Sequence, residues 1–247
     1  MTKPTGTTWA HQQKLIPSDS EAGALFGWAC AISSGGDRVV IGAYSDDATG
    51  GANSGAAYVF TRSGSTWSEE AKLIPASSQS NAQYGHSVAI DRDGTRIVVG
   101  APYHDTAGGF TNAGEAFVWT RTGTSWAEEA TLVATNPGLS YYFGWSCSID
   151  ANGERIIVGH RSAQIDGTVF AGSAYIFARS PGTTVWTEET EVFGTLEASA
   201  YFGESCSISG DGMRALVGAM YEDAGATDAG AVYFFQRTYL GWSANIP

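Results

Sequence analysis

An apolar run opened by arginine and closed by glycine recurs four times along the chain: Arg38-Val39-Val40-Ile41-Gly42, Arg96-Ile97-Val98-Val99-Gly100, Arg155-Ile156-Ile157-Val158-Gly159 and Arg214-Ala215-Leu216-Val217-Gly218. Each is short, β-branched and bounded by turn residues, the composition of a strand that is half-buried or more. An aromatic-glycine pair precedes each run, as Phe26-Gly27, Tyr84-Gly85, Phe143-Gly144 and Phe202-Gly203. Read with the turn residues as punctuation, the second copy gives four strands, Gly85 to Ile90, Arg96 to Gly100, Ala116 to Arg121 and Trp126 to Val133. Tight hairpins join the first two strands of each copy, because Gly35-Gly36, Asp93-Gly94, Asn152-Gly153 and Asp211-Gly212 supply the positive φ such turns need. The link from the second strand to the third is longer than an ordinary hairpin loop.

The copies keep a fixed period. Trp9, Trp67, Trp126, Trp186 and Trp242 stand 58, 59, 60 and 56 residues apart. A period of that size with almost no helical apolar pattern marks an array of small sheets, and four-stranded units repeated radially make a β-propeller of roughly four to eight blades. The expected fold is all-β, a four-bladed β-propeller in one domain spanning 1–247, with repeats at about 9–66, 67–125, 126–185 and 186–241 and a tail at 242–247. Lys14-Leu15-Ile16-Pro17 repeats Lys72-Leu73-Ile74-Pro75, so the segment from Trp9 to Pro17 is expected to be the outer strand of the last blade, closing the ring and removing its open edges. Trp242 begins a second candidate for that strand.

Tyr84-Gly85 opening one strand and Val98-Val99-Gly100-Ala101-Pro102 closing the next resemble the FG-GAP repeat of integrin α-subunit propellers and of many secreted microbial proteins. The resemblance runs through all four copies. It implies a propeller used for adhesion or binding, commonly outside the cell. Calcium-binding blades of that family carry a run of acidic ligands on the turn before the second strand, and here the last ligand position is Arg96, Arg155 or Arg214 on a shorter turn. The guanidinium is therefore expected to hold turn carboxylates such as Asp91 and Asp93 in place of a metal, and no cofactor is expected there.

Composition narrows the partners. The 247 residues carry 25 acidic and 13 basic side chains, a net charge of -12, which argues against nucleic acid because phosphate binding needs a basic face. No apolar run is long enough for a membrane span, and Met1-Thr2-Lys3-Pro4 is not a signal peptide, so export would need a leader outside this chain or another route. Cys30, Cys147 and Cys206 occupy one repeat position, where the second copy has Val88, so they are expected to be small buried thiols of the innermost strands.

Catalytic patterns do not assemble. His11, His86, His104 and His160 fall at different repeat positions, and neither a nucleophile elbow nor a His-Glu-x-x-His helix occurs. Glu69-Glu70, Glu128-Glu129 and Glu188-Glu189 are expected to pair across strands with Arg62, Arg121 and Arg179 rather than act as glycosidase acids.

Two surfaces vary among the copies. The residue after each aromatic-glycine pair is Trp28, His86, Trp145 or Glu204, a mixed set expected at the channel mouth as a plug or a ligand site. The long links carry Tyr44, Asp46, Asp47, Tyr103, Asp105, Phe110, Asp166, Phe170, Tyr221 and Asp223, expected side by side on one loop face. Asp47, Asp105 and Asp223 are the residues there that could take calcium, although such carboxylates more often bond their own loop backbone. The expected function is a non-catalytic binding or adhesion module, extracellular or surface-associated, for a protein or glycan partner. The alternative is a structural subunit contacting neighbouring subunits of a virion or cell-surface assembly, and a carbohydrate-active enzyme comes third.

Overall fold

A computed structural model describes residues 10–244 and folds them into four antiparallel four-stranded sheets, each taking three strands from one repeat and its outer strand from the start of the segment that follows. The first sheet holds β1 (Ala29–Ile32), β2 (Arg38–Ala43), β3 (Ala56–Ser63) and β4 (Thr66–Leu73). The second holds β5 (Ser87–Ile90), β6 (Arg96–Ala101), β7 (Glu115–Thr122) and β8 (Ser125–Leu132). The third holds β9 (Phe143–Ile149), β10 (Arg155–His160), β11 (Ser173–Arg179) and β12 (Trp186–Val192). The fourth holds β13 (Phe202–Ile208), β14 (Arg214–Ala219), β15 (Ala231–Thr238) and β16 (Gly241–Ala244). Strands pair in sequence order throughout, which makes each sheet a blade and the molecule a four-bladed β-propeller.

The Arg-to-Gly runs are β2, β6, β10 and β14, and they lie second in each blade. Their apolar side chains are buried on both faces where another blade follows: one face meets the blade after, and the other meets the blade before or, for β2, the segment holding Leu15 and Phe26. Val40, Ala57 and Val59 of the first blade pack on Ile97, Val99 and Phe117 of the second around the fully buried Tyr84. Phe143 and Phe202 fill the same place in the next two seams. Each such aromatic buries enough apolar surface to contribute about 2 to 3 kcal/mol, so these rings are the main anchors between blades.

The glycine after each ring sets the spacing. A Cβ on Gly42 would lie 2.0 Å from the carbonyl oxygen of Gly85, and Gly100 stands in the same relation to Gly144. Blades therefore meet backbone to backbone, at a distance that only glycine permits.

The ring does not close as the sequence suggested. β1 packs on β5, β5 on β9 and β9 on β13, but among the described residues β13 makes no comparable contact with β1. The outer strand of the last blade is β16, with Trp242 opposite Arg237, and residues 10–17 form no strand. Leu15 and Phe26 pack instead on Val39, Ile41, Tyr58 and Phe60 of the first blade, and the Gln13 side chain bonds both backbone groups of Trp67. The reason is local: Trp242 can complete its blade by a short hairpin, whereas residues 10–26 sit where the link from a preceding blade would run. Trp9 lies outside the described residues. The result is an arc of four blades.

Candidate functional site: an aromatic belt on the loop face

The two variable surfaces merge into one. Trp28 touches Tyr44 with ring centres 4.8 Å apart, both rings lean on His86, and His86 lies 4.5 Å from Trp145. Trp145 continues to Tyr142 and Tyr142 to Tyr103. On the other side the Arg161 guanidinium sits 4.4 Å from the Trp145 ring and 4.3 Å from that of Tyr201, a cation sandwiched between two π-faces. Tyr201 in turn stacks on Phe170 and meets Tyr221 edge-on. The belt thus runs across all four blades.

Its polar groups are mostly committed. Glu204 is ion-paired to Arg161 and accepts from Trp145 Nε1 at 3.2 Å. His86 Nδ1 lies 3.1 Å from the Trp145 carbonyl, which can only accept, so Nδ1 carries the proton and Nε2 remains an acceptor. Burial pushes His86 below its ordinary value, against the pull of the Trp145 carbonyl, and the ring is neutral near pH 7. Burial likewise raises the Tyr103 hydroxyl. What the belt presents to solvent is aromatic face: Trp28 is 56% exposed, and Phe170 and Tyr221 are also exposed.

Arg161, Tyr142 and Tyr201 escaped the sequence reading. Tyr142 and Tyr201 immediately precede the aromatic-glycine pairs at positive φ, where the other copies have Leu25 and Gln83, and Arg161 holds the place of Tyr44. Those positions vary between copies as Trp28 does, and that variation was the available signal.

The remaining loop candidates do not join the belt. Phe110 is exposed on its own loop, packed over Gly108. Asp166 lines a separate cleft of about 310 Å³ with Asn136, Gln164 and Glu191. Asp46 is buried, accepting from Tyr58 at 2.6 Å and Lys72 at 2.9 Å. Asp47, Asp105 and Asp223 each accept a backbone N–H from across their own loop at 2.8 Å, from Asn53, Asn112 and Asp228. Among the described residues no three His, Cys, Asp or Glu side chains are grouped to hold an ion.

Three further expectations need correction. Arg96 does not hold its turn carboxylate: Asp91 accepts from the Thr95 and Arg96 backbone, while the Arg96 guanidinium bonds Glu129 at 2.9 Å and the Gly153 carbonyl of the next blade at 3.1 Å. Arg155 follows the same plan with Glu189, and only Arg214 pairs with its turn, at Asp211. The outer-strand glutamates do not pair with the third-strand arginines of their own blade either. Arg62 lies opposite Trp67, whereas Glu70 is the bulged residue of β4, facing Val59 and Phe60, and takes Arg38 of its own blade and Arg121 of the next. Cys147 and Cys206 point into seams, where burial pushes both thiols up to about 12, but Cys30 is exposed, on a face that no blade among the described residues covers.

Radially arranged four-stranded blades carrying an aromatic belt on their loop face define a propeller-type repeat module. The FG-GAP repeat model matches residues 9–60, 67–119, 126–177 and 195–235, and the chain belongs to that family. No curated protein matches it. Among solved structures it is similar to a proposed 6-phosphogluconolactonase from Bacteroides uniformis, at 8% identity and a TM-score of 0.56 over 88% of this chain and 52% of that one. It is also similar to the hydrazine synthase of Kuenenia stuttgartiensis, at 10% identity and 0.53 over 90% and 49%. The chain spans about half the length of these structures, and at such identities the likeness shows the fold alone.

Proposed function

We propose that the protein is a non-catalytic binding or adhesion module, working at a surface or outside the cell, whose ligand lies along the aromatic belt. The observation that carries this reading is the run of contacts from Trp28 to Tyr221, two sets of touching rings joined by the Arg161 guanidinium, in which that cation and one carboxylate neutralise each other. Such a surface offers stacking area and a few hydrogen bonds but no net charge, which suits the apolar faces of neutral sugar rings better than a charged peptide. A non-catalytic role is supported by the carboxylates: Glu70 and Glu189 are each engaged by two arginines and an indole. Among the described residues no helix is long and apolar enough to cross a membrane.

The test is a screen of neutral oligosaccharides and of peptides by tryptophan fluorescence, followed by Phe170→Ala, which lies away from both ends of the arc. A neutral glycan whose binding the variant abolishes, with an unchanged melting temperature, supports the reading. Peptide binding only, or binding indifferent to Phe170, sinks it. A structural subunit of a larger assembly is the second reading, supported by apolar side chains left open on the last blade, where Val232 is 69% exposed.

A further inference from the structure

The seam between blades is built to one plan three times, and each half of that plan stands open at one end of the arc. In a filled seam the aromatic N–H donates to the loop of the blade before, as Tyr84 does to the Ser54 carbonyl, Phe143 to Ala113 and Phe202 to Ala171, at 2.8 to 3.0 Å. The following glycine presses its carbonyl onto Gly42, Gly100 or Gly159, and in the last two seams Ser87 or Ser146 donates to that carbonyl at 2.9 Å. Hairpin turns also link in series, Ser34 N–H to Arg92, Arg92 to Ala151 and Ala151 to Gly210.

On the fourth blade the receiving half is vacant. Among the described residues Gly218 has only Ser205 of its own blade near its missing Cβ, and Ser205, Gly218, Ala229, Gly230 and Val232 line an open recess of about 430 Å³ where the next aromatic-glycine pair would lie. Leu216 occupies the position at which Val40, Val98 and Ile157 are fully buried, yet it is 45% exposed. On the first blade the inserting half is vacant. Among the described residues Gly27 has nothing within 4 Å of a Cβ, whereas Gly85, Gly144 and Gly203 are crowded by backbone of the blade before. Cys30 and Ile32 are exposed where Cys147 and Ile149 face the second blade.

We propose that a second copy of this chain fills both halves, head to tail, so that two arcs close into a ring of eight blades. The interface is continuous in design with the three seams inside the chain, and charge agrees: exposed Arg214, whose counterparts Arg38 and Arg96 donate to the turn of the next blade, meets the turn carrying Asp37. Eight blades is the upper end of what propellers adopt, at roughly four to eight. A head-to-tail contact of this kind either closes or polymerises. The inference is independent of the ligand reading, because neither Phe170 nor glycan binding enters it.

Light scattering and sedimentation on the 247-residue chain should give twice the 25.9 kDa chain mass, unchanged with concentration above the dissociation range. Gly218→Ala puts a methyl into the recess and displaces only the rotatable Ser205 hydroxyl, and Ile32→Asp charges a side chain that is 58% exposed. Each should give a monomer with unchanged circular dichroism. Alkylation of Cys30 should be slow in the native protein and fast in either variant, since the partner's blade would cover it as the second blade covers Cys147. A native monomer overturns the proposal, as does a polymer whose mass climbs with concentration. A dimer broken by Gly218→Ala but not by Ile32→Asp would be joined tail to tail, and that also overturns it.

Discussion

Arg121 Nη2 lies 2.5 Å from Glu70 Oε1, joining the third strand of one blade to the outer strand of the blade before it. The other oxygen of the same carboxylate takes Arg38 Nε at 3.0 Å and Trp126 Nε1 at 3.1 Å. Glu189 is held in the same way by Arg155, Arg237 and Trp242. The repeated tryptophan that marks the period in the sequence is therefore one finger of a clamp between blades.

Glu70→Ala should destabilise the protein by about 3 kcal/mol or more, because it leaves two arginines without their counter-ion and the Glu70 and Arg38 side chains are only 8% and 9% exposed. Burial alone would raise the Glu70 carboxyl, but the bonds from Arg121 and Trp126 and the charge of Arg38 hold it below its ordinary value. Its contribution is thus present above the unfolded-state value and lost as pH falls through the lower folded one. Urea titrations at several pH values should show a shallower acid limb for Glu70→Gln than for the native chain.

Gly100→Ala should cost about 3 kcal/mol or more by thermal or urea unfolding, since its Cβ would stand 2.0 Å from the Gly144 carbonyl, with backbone on both sides of the contact. Gly64→Ala, where nothing lies within 4 Å, meets no clash and should cost clearly less. Equal losses would mean that the seam is not closed backbone to backbone.

A buried pair in the second blade gives a pH dependence of opposite sign. His104 Nε2 donates to the Ser77 carbonyl at 2.8 Å, so Nδ1 is a bare acceptor 3.2 Å from Glu115. Burial, with the charge of Glu128, pushes the Glu115 carboxyl from 4.5 up to about 7, so below that value it keeps its proton beside the imidazole. A raised folded value means that the folded state holds the extra proton between those limits, and stability falls as pH rises from 4.5 to about 7. Glu115→Gln preserves a donor and should remove that fall. His160, pushed down to about 3 by burial, acts on the acid side instead, losing stability as pH drops below 6.5. If the Glu115→Gln profile matches the native one between pH 5 and 7, the proton assignment is wrong.

Chelation should leave the melting temperature unchanged, because the carboxylates most suited to an ion close their own loops. Asp105→Ala should cost roughly 1 kcal/mol through the lost bond to the Asn112 N–H. A fall in melting temperature with EDTA that calcium restores would refute this and make Asp47, Asp105 and Asp223 the ligands to replace first.

The blades were legible because their signals are local. Asp93-Gly94 fixes a hairpin and Arg96 to Gly100 reads as a strand whatever surrounds them. The partners of repeated side chains were not legible. Periodicity shows that Glu70, Glu129 and Glu189 are equivalent, but it does not say whether a side chain reaches within its own copy or into the next. Glu70 is itself the bulged residue of its strand, facing Val59 and Phe60, and no period in the sequence marks that bulge. The curvature of the array is set by backbone contacts such as Gly42 on Gly85, and no residue count reveals whether four such steps complete a circle. The belt was half visible: Trp28, His86, Trp145 and Glu204 stood out as variable, whereas Arg161 joins them only because the loop after His160 folds over Trp145.

The four strands of each blade come from one uninterrupted stretch, residues 29–73 in the first, and among the described residues no strand is exchanged between neighbours. Folding can then begin in any blade and spread to either side, with little entropy spent on bringing distant parts of the chain together. Growth by duplication carries the same economy. Adding or removing one whole repeat lengthens or shortens the arc while the two terminal faces keep their shape, so the number of blades per chain can drift without inventing a new way to end.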